Sequence, residues 1–153
     1  MFEGFKETAI TALVCMLLVP AFFGCAAFAP EHKITRSPVD TVKLFDRTYG
    51  SSSMDKTADI ITEKMRDGLP RTVWVYDRWK TMNEIEYKRL HSEILEVKKK
   101  NDRAVVFMNT TISAGGTESS QKEIYTLVNR NGTWLTDSLK VTDEKPDTGE
   151  IIL

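Results

Sequence analysis

Residues 123–134 read Glu-Ile-Tyr-Thr-Leu-Val-Asn-Arg-Asn-Gly-Thr-Trp. Ile124, Tyr125, Leu127 and Val128 give this run the β-branched and aromatic character of a strand. Asn131-Gly132 then offers two residues that tolerate the positive φ of a tight hairpin turn. Trp134 opens the returning strand, expected over 134–141. A lone hairpin is marginal in water, so the chain before it must supply further strands and a covering layer.

Both are legible upstream. Residues 104–112 predict a strand with Ala104, Val106, Met108 and Ile112 on one face. Val105 and Phe107 extend its apolar character to the other face. Gly115-Gly116 is read as the opening of a loop that carries Ser119 and Ser120 up to residue 123. Before residue 104, Ile94, Leu95 and Val97 lead into a polar turn at 98–102. Helices precede the strands. Ser37-Pro38-Val39-Asp40 is a strong helix start: serine caps, proline fits the first position and the acid suits the helix dipole. Val39, Val42, Phe45 and Tyr49 follow at helical spacing until Gly50 ends the run. A second, shorter helix is expected over 55–64, with Ala58, Ile61 and Met65 on one side. After Pro70 a third is expected over 71–90, with Val73, Tyr76 and Trp79/Lys80 as its buried stripe and Trp74 beside it. Its last part, 84–90, reads equally as a turn entering a strand. Helices first and consecutive antiparallel strands after them predict an α+β domain over 37–142, with the helices on one face of the sheet.

The N-terminus is of another kind. Residues 8–23 carry no charge and follow Lys6, as in a signal peptide. Phe22-Phe23-Gly24-Cys25 is similar to the lipobox of bacterial lipoproteins, in which the chain is cut before a cysteine that receives a thioether lipid. Gly24 and Cys25 match that pattern; Phe22 and Phe23 are bulkier than its usual residues. Two other routes stay open: a cut after Ala27-Phe28-Ala29, or an uncleaved anchor over 9–29, since about 20 apolar residues span a bilayer. All three place the domain outside the cytoplasm. The resulting organisation is a signal peptide (1–24), a lipid-anchored linker (25–36), the α+β domain (37–142) and a polar tail (143–153). Ala26 lacks the acid that an inner-membrane retention signal carries, so the lipobox resemblance implies an outer membrane wherever the cell has two.

The helix start at Ser37, the run Asp102-Arg103-Ala104-Val105-Val106 and the hairpin 124–134 together resemble small lipoproteins of the nuclear transport factor 2-like superfamily. The resemblance spans about residues 37–142. It implies a cystatin-like roll, a curved antiparallel sheet wrapped on helices with a cavity between them. Such folds host isomerases, dehydratases, ligand binders and structural modules, so fold alone assigns no chemistry.

Composition narrows the choice. Hydrophobic residues make up 41% of the chain, enough for a core. Residues 25–153 hold equal numbers of acids and bases, and a neutral domain has no field to draw in nucleic acid. Lys98, Lys99 and Lys100 read as a solvated turn. With Cys15 removed, Cys25 has no disulfide partner. Cys25, His32 and His91 lie at unrelated positions, so no metal or other cofactor is expected. By the resemblance, Asp77 or His91 is the candidate acid or base of an isomerase- or dehydratase-like site. Asp77 is expected to face water and His91 to sit at a helix–strand junction. Tyr76, Trp79, Phe107 and Tyr125 are the candidates to line a ligand pocket. The leading expectation is a non-enzymatic envelope lipoprotein, held at a membrane by the lipid on Cys25. Its domain would bind a partner protein, a second copy as a homodimer, or a small apolar ligand. A structural assembly or stress factor is the third reading.

Overall fold

The structure is a computed structural model and describes residues 36–142. The expected signal segment, Cys25, the linker up to residue 35 and the polar tail lie outside the described residues. The elements run α1 (Pro38–Thr48), α2 (Met54–Ala58), a 3-10 turn (Lys64–Arg66), α3 (Arg71–Glu84), then β1 (Lys88–Lys100), β2 (Arg103–Ala114), β3 (Thr117–Arg130) and β4 (Thr133–Thr142). The strands form one antiparallel sheet in the order β1-β2-β3-β4. The α+β expectation holds: helices come first and a curved sheet follows.

The first helix begins as its sequence requires. Ser37 Oγ accepts the Asp40 N–H at 3.1 Å, and Asp40 Oδ2 accepts the Ser37 N–H at 3.2 Å. This reciprocal cap satisfies two donors that helix geometry leaves unpaired. Val42 and Phe45 enter the core, and Thr41 and Thr48 are buried beside them. Gly50 follows at φ +76°, and the Tyr87 ring packs against it so closely that a Cβ there would lie 2.5 Å from Cδ1.

Two expectations for the helices are corrected. The segment read as a helix over 55–64 stops at Ala58. Residues 60–62 instead run extended against β4: Thr136 donates its N–H to Ile60 O at 2.8 Å, and Thr62 donates to Thr136 O at 2.9 Å. Pairing with β4 lets Ile60 and the adjacent Ile61 both bury, which neighbouring residues 100° apart on a short helix do not readily do. The third helix ends at Glu84, so the strand reading of its last residues was the right alternative. Its buried face is also different. Trp74 is 2% exposed, with Val75 and Met82 packed partly against the core, whereas Val73, Tyr76 and Trp79 face outward.

The sheet is built from two-residue turns. Asn131-Gly132 adopts positive φ at both positions between the paired Arg130 and Thr133, as expected. Gly115-Gly116 does the same between Ala114 and Thr117. There is therefore no loop at 117–122: Ser119 and Ser120 lie in β3, and Ser120 hydrogen-bonds Thr111. The pairing of β1 with β2 shifts at Leu90 and at Leu95, which bends the edge strand. Ala104, Val106 and Met108 of β2 meet Tyr125 and Leu127 of β3 and Trp134 of β4 on the helix-covered face. Val105 and Phe107 point the other way, as the alternation predicts, and both are also buried.

Candidate functional site

Strand alternation carries a charge into this core. Tyr125 and Leu127 face the helices, so Glu123, one step of two earlier, faces them too. Its side chain is 1% exposed. A buried carboxylate survives only when its oxygens are fully partnered. Arg89, from the start of β1, supplies most of that, with Nη1 at 3.1 Å from Oε1 and Nη2 at 2.5 Å from Oε2. Tyr125 Oη donates to Oε2 at 2.7 Å, Thr110 Oγ1 donates to it at 3.2 Å, and Gln121 Nε2 donates to Oε1 at 2.8 Å.

The guanidinium is equally committed. Its Nε donates to Asp46 Oδ1 of α1 at 2.6 Å, and Nη1 reaches the Tyr87 hydroxyl at 3.1 Å. Ser92 Oγ completes the cluster by donating to the same Asp46 oxygen at 2.7 Å. Arg89 therefore ties α1, β1 and β3 together. Burial pushes the Glu123 carboxyl upward, but the hydrogen bonds and charge of Arg89, helped by Tyr125 and Gln121, more than offset it and hold it below the ordinary range. Arg89 is likewise opposed by burial and lies above its ordinary value because of Glu123. Burial, then the neighbouring Glu123 charge, keeps the Tyr125 phenol protonated far above its usual range.

Asp46, Tyr87, Arg89 and Ser92 of this cluster line an open cleft of about 1000 Å³. Asp46, Arg47 and Tyr49 at the end of α1 form one wall, Trp79 and Met82 of α3 another, and Tyr87 to Ser92 the third. A second hollow of about 360 Å³ lies where α1, α3 and β4 meet, over Phe45, Met65, Trp74 and Leu139. Tyr49 lines both. Lys64 and Asp137 pair at 2.8 Å on the rim of the second hollow, and the Trp74 indole N–H is buried there without a partner. Among the described residues no three His, Cys, Asp or Glu side chains gather as a metal site.

The residues singled out from sequence are scattered. Asp77 is exposed on α3. His91 is exposed on β1, at the cleft wall. The four aromatics do not all meet at one pocket, although Tyr76 and Trp79 line a common apolar hollow. Tyr125 is in the core and gives only its hydroxyl to the Arg89 cluster. Phe107 is on the opposite face of the sheet, under the Lys98 ammonium at 5.7 Å. Tyr76 is 61% exposed and Trp79 43% exposed on the outer side of α3. Sequence reasoning missed Asp46, Arg89 and Glu123. The available signal was Glu123 at the even spacing of Tyr125 and Leu127, where a solvated face would have the opposite phase.

No protein-family model matches the chain, and no curated protein does. Solved structures do match in fold. A SEC-C motif containing protein from Rhodopseudomonas palustris superposes with TM-score 0.57 at 19% identity, over 70% of this chain and 80% of that one. A domain of unknown function with a cystatin-like fold from Nostoc punctiforme gives 0.54 at 12% identity, over 72% and 76%. Rd1NTF2_04 with long sheet gives 0.50 at 13% identity, over 69% of this chain and all of that one. The domain thus has the cystatin-like, nuclear transport factor 2-like α+β fold. At these identities the likeness is one of fold.

Proposed function

We propose that this chain is an exported lipoprotein, held at a bacterial membrane through Cys25, whose domain binds a partner protein at the cleft between α1, α3 and β1. The observation that carries a binding role over a catalytic one is the state of Glu123 and Arg89. They are the most enclosed charges of the domain, and every oxygen and nitrogen they present is already bonded within it. A general base needs a free lone pair aimed at substrate and a pKa near the working pH. Glu123 has neither, and its role is to fix Arg89, which lines the cleft.

The cleft and its flank have the character of a protein interface. Tyr76 and Trp79 expose large aromatic surface on α3, and Arg47 and His91 supply a polar rim. Exposed aromatics with arginine nearby are the residues that dominate protein–protein contacts. No described helix is long and apolar enough to cross a membrane, so attachment rests on the segment before residue 36. The test is site-specific photo-crosslinking in intact cells, with the reactive group at Trp79 or at Glu118 on the distant Gly115-Gly116 hairpin. Binding at the cleft yields one discrete adduct from position 79, lost on Arg47→Glu, and none from 118. Equal adducts from both positions, or none from 79, would refute it.

A further inference from the structure

The hairpin tip between β3 and β4 carries a chemically reactive pair. Asn131 and Gly132 are exposed, at φ +53° and +82°, and they alone join the paired Arg130 and Thr133. In an Asn-Gly sequence the glycine nitrogen stands next to the asparagine side-chain amide, with no side chain of its own in the way. It attacks that amide once its proton is lost to base. At this turn the nitrogen is not free. The Gly132 N–H donates to Asn129 Oδ1 at 2.8 Å. Local bonds of this kind, from backbone to a nearby asparagine side chain, compete with other uses of the same N–H. Asn129 is itself held in place. Its own N–H donates to Asp102 O at 2.7 Å, just before β2, and it pairs with Trp134 across the hairpin. The acceptor is thereby fixed against the one nitrogen on which the reaction depends.

We propose that Asn131 is a site of spontaneous deamidation and that Asn129 sets its rate. Base takes the Gly132 proton, the nitrogen bonds Asn131 Cγ, and the Cγ–Nδ2 bond breaks to release ammonia and leave a cyclic succinimide. Water then opens either imide C–N bond. One opening gives aspartate; the other gives isoaspartate, in which the main chain runs through Cγ. Water and hydroxide are the only co-reactants, and an exposed turn meets both. An N–H that donates to a carboxamide oxygen is harder to deprotonate, and its bond must break before the nitrogen swings onto Cγ. Removing it is worth about two- to tenfold in rate, the equivalent of one ordinary hydrogen bond. The consequence reaches the sheet. Isoaspartate adds one main-chain atom to a two-residue connection whose geometry matches the twist of its strands. The register beside it, Arg130 with Thr133 and Asn129 with Trp134, is what that atom disturbs.

Peptide mapping by chromatography and mass spectrometry tests this on the full chain, incubated folded at mildly alkaline pH. Aspartate and isoaspartate formed at position 131 are followed together against time in wild type, Asn129→Ala and Asn129→Asp. The alanine variant should react about two- to tenfold faster than wild type. The aspartate variant keeps an acceptor oxygen and should react no faster than wild type. In urea all three should react at similar rates, each faster than folded wild type. Amide exchange across β3 and β4 checks that the hairpin stays paired, and where the alanine change loosens it the aspartate variant decides. A folded alanine variant no faster than wild type overturns the proposal, as does an aspartate variant as fast as the alanine one. Folded wild type reacting as fast as the unfolded chain also overturns it, since the Asn129 bond then protects nothing.

Discussion

Replacing Glu123 by glutamine removes the anion that Arg89 was buried to meet. The glutamine keeps the shape and one acceptor oxygen, so the change is chiefly electrostatic. The Arg89 side chain is 5% exposed and would keep only Asp46, at 23% exposure, as a counter-charge. Breaking a buried pair by removing one partner costs about 3–5 kcal/mol. The surviving Asp46 contact places this case near the lower end, about 3 kcal/mol. For a domain of this size each kcal/mol moves Tm by about 4–8 °C, so a fall of about 12–24 °C is expected at pH 7. The loss has a pH signature. The folded carboxyl of Glu123 is depressed below its unfolded value, so the pair stabilises fully above the unfolded pKa of about 4.3 and the gain is lost as pH falls through the folded value. Wild type and Glu123→Gln therefore differ most at neutral pH and converge on acidification. Urea unfolding followed by tryptophan fluorescence, at several pH values, measures both effects. The double variant Glu123→Gln/Arg89→Met should recover part of the loss, because no buried cation remains unpaired. A neutral-pH penalty below about 0.5 kcal/mol, the scatter of ordinary surface changes, would refute the reasoning. So would a gap that stays constant with pH.

Other outcomes follow from the same structure. Ser37→Ala removes the reciprocal cap of α1 and should cost about 1 kcal/mol, seen as a lower urea midpoint at unchanged slope. Gly50→Ala combines a left-handed backbone, about 1–2 kcal/mol, with a Cβ forced against Tyr87, about 1–3 kcal/mol, and calorimetry should show the sum. Trp74→Ala should cost about 3–5 kcal/mol. Trp74→Phe should cost clearly less, because it also removes an unpaired buried N–H. Trp79→Ala, by contrast, should stay within about 0.5 kcal/mol of wild type in the same unfolding assay.

How much was legible depended on whether local chemistry or long-range pairing decided the outcome. The cap at Ser37, the alternation of 104–108 and the Asn131-Gly132 turn are local, and each formed as its residues dictate. Gly115-Gly116 was read as a loop because the residues after it, Thr117 to Lys122, are polar; their strand is held by pairing with β2, which the polar pattern hides. The third helix carries apolar residues on two sides, Val73, Tyr76 and Trp79 on one and Trp74 beside them. Period alone ranks them equally, and only packing beside α2 turns Trp74 inward. The charged cluster was the least visible part. Arg89 and Glu123 stand 34 residues apart, and Asp46 stands 43 before Arg89, so the three meet only once the sheet register is set. The proposed anchor is the reverse case, since the whole resemblance that motivates it lies in residues 1–25.

Intact-mass spectrometry of the protein extracted from native membranes tests the lipoprotein account most directly. The account predicts a chain that starts at Cys25 and carries the added mass of a thioether-linked diacylglycerol. A mass that begins at Met1, or a Cys25 with a free thiol, would contradict it.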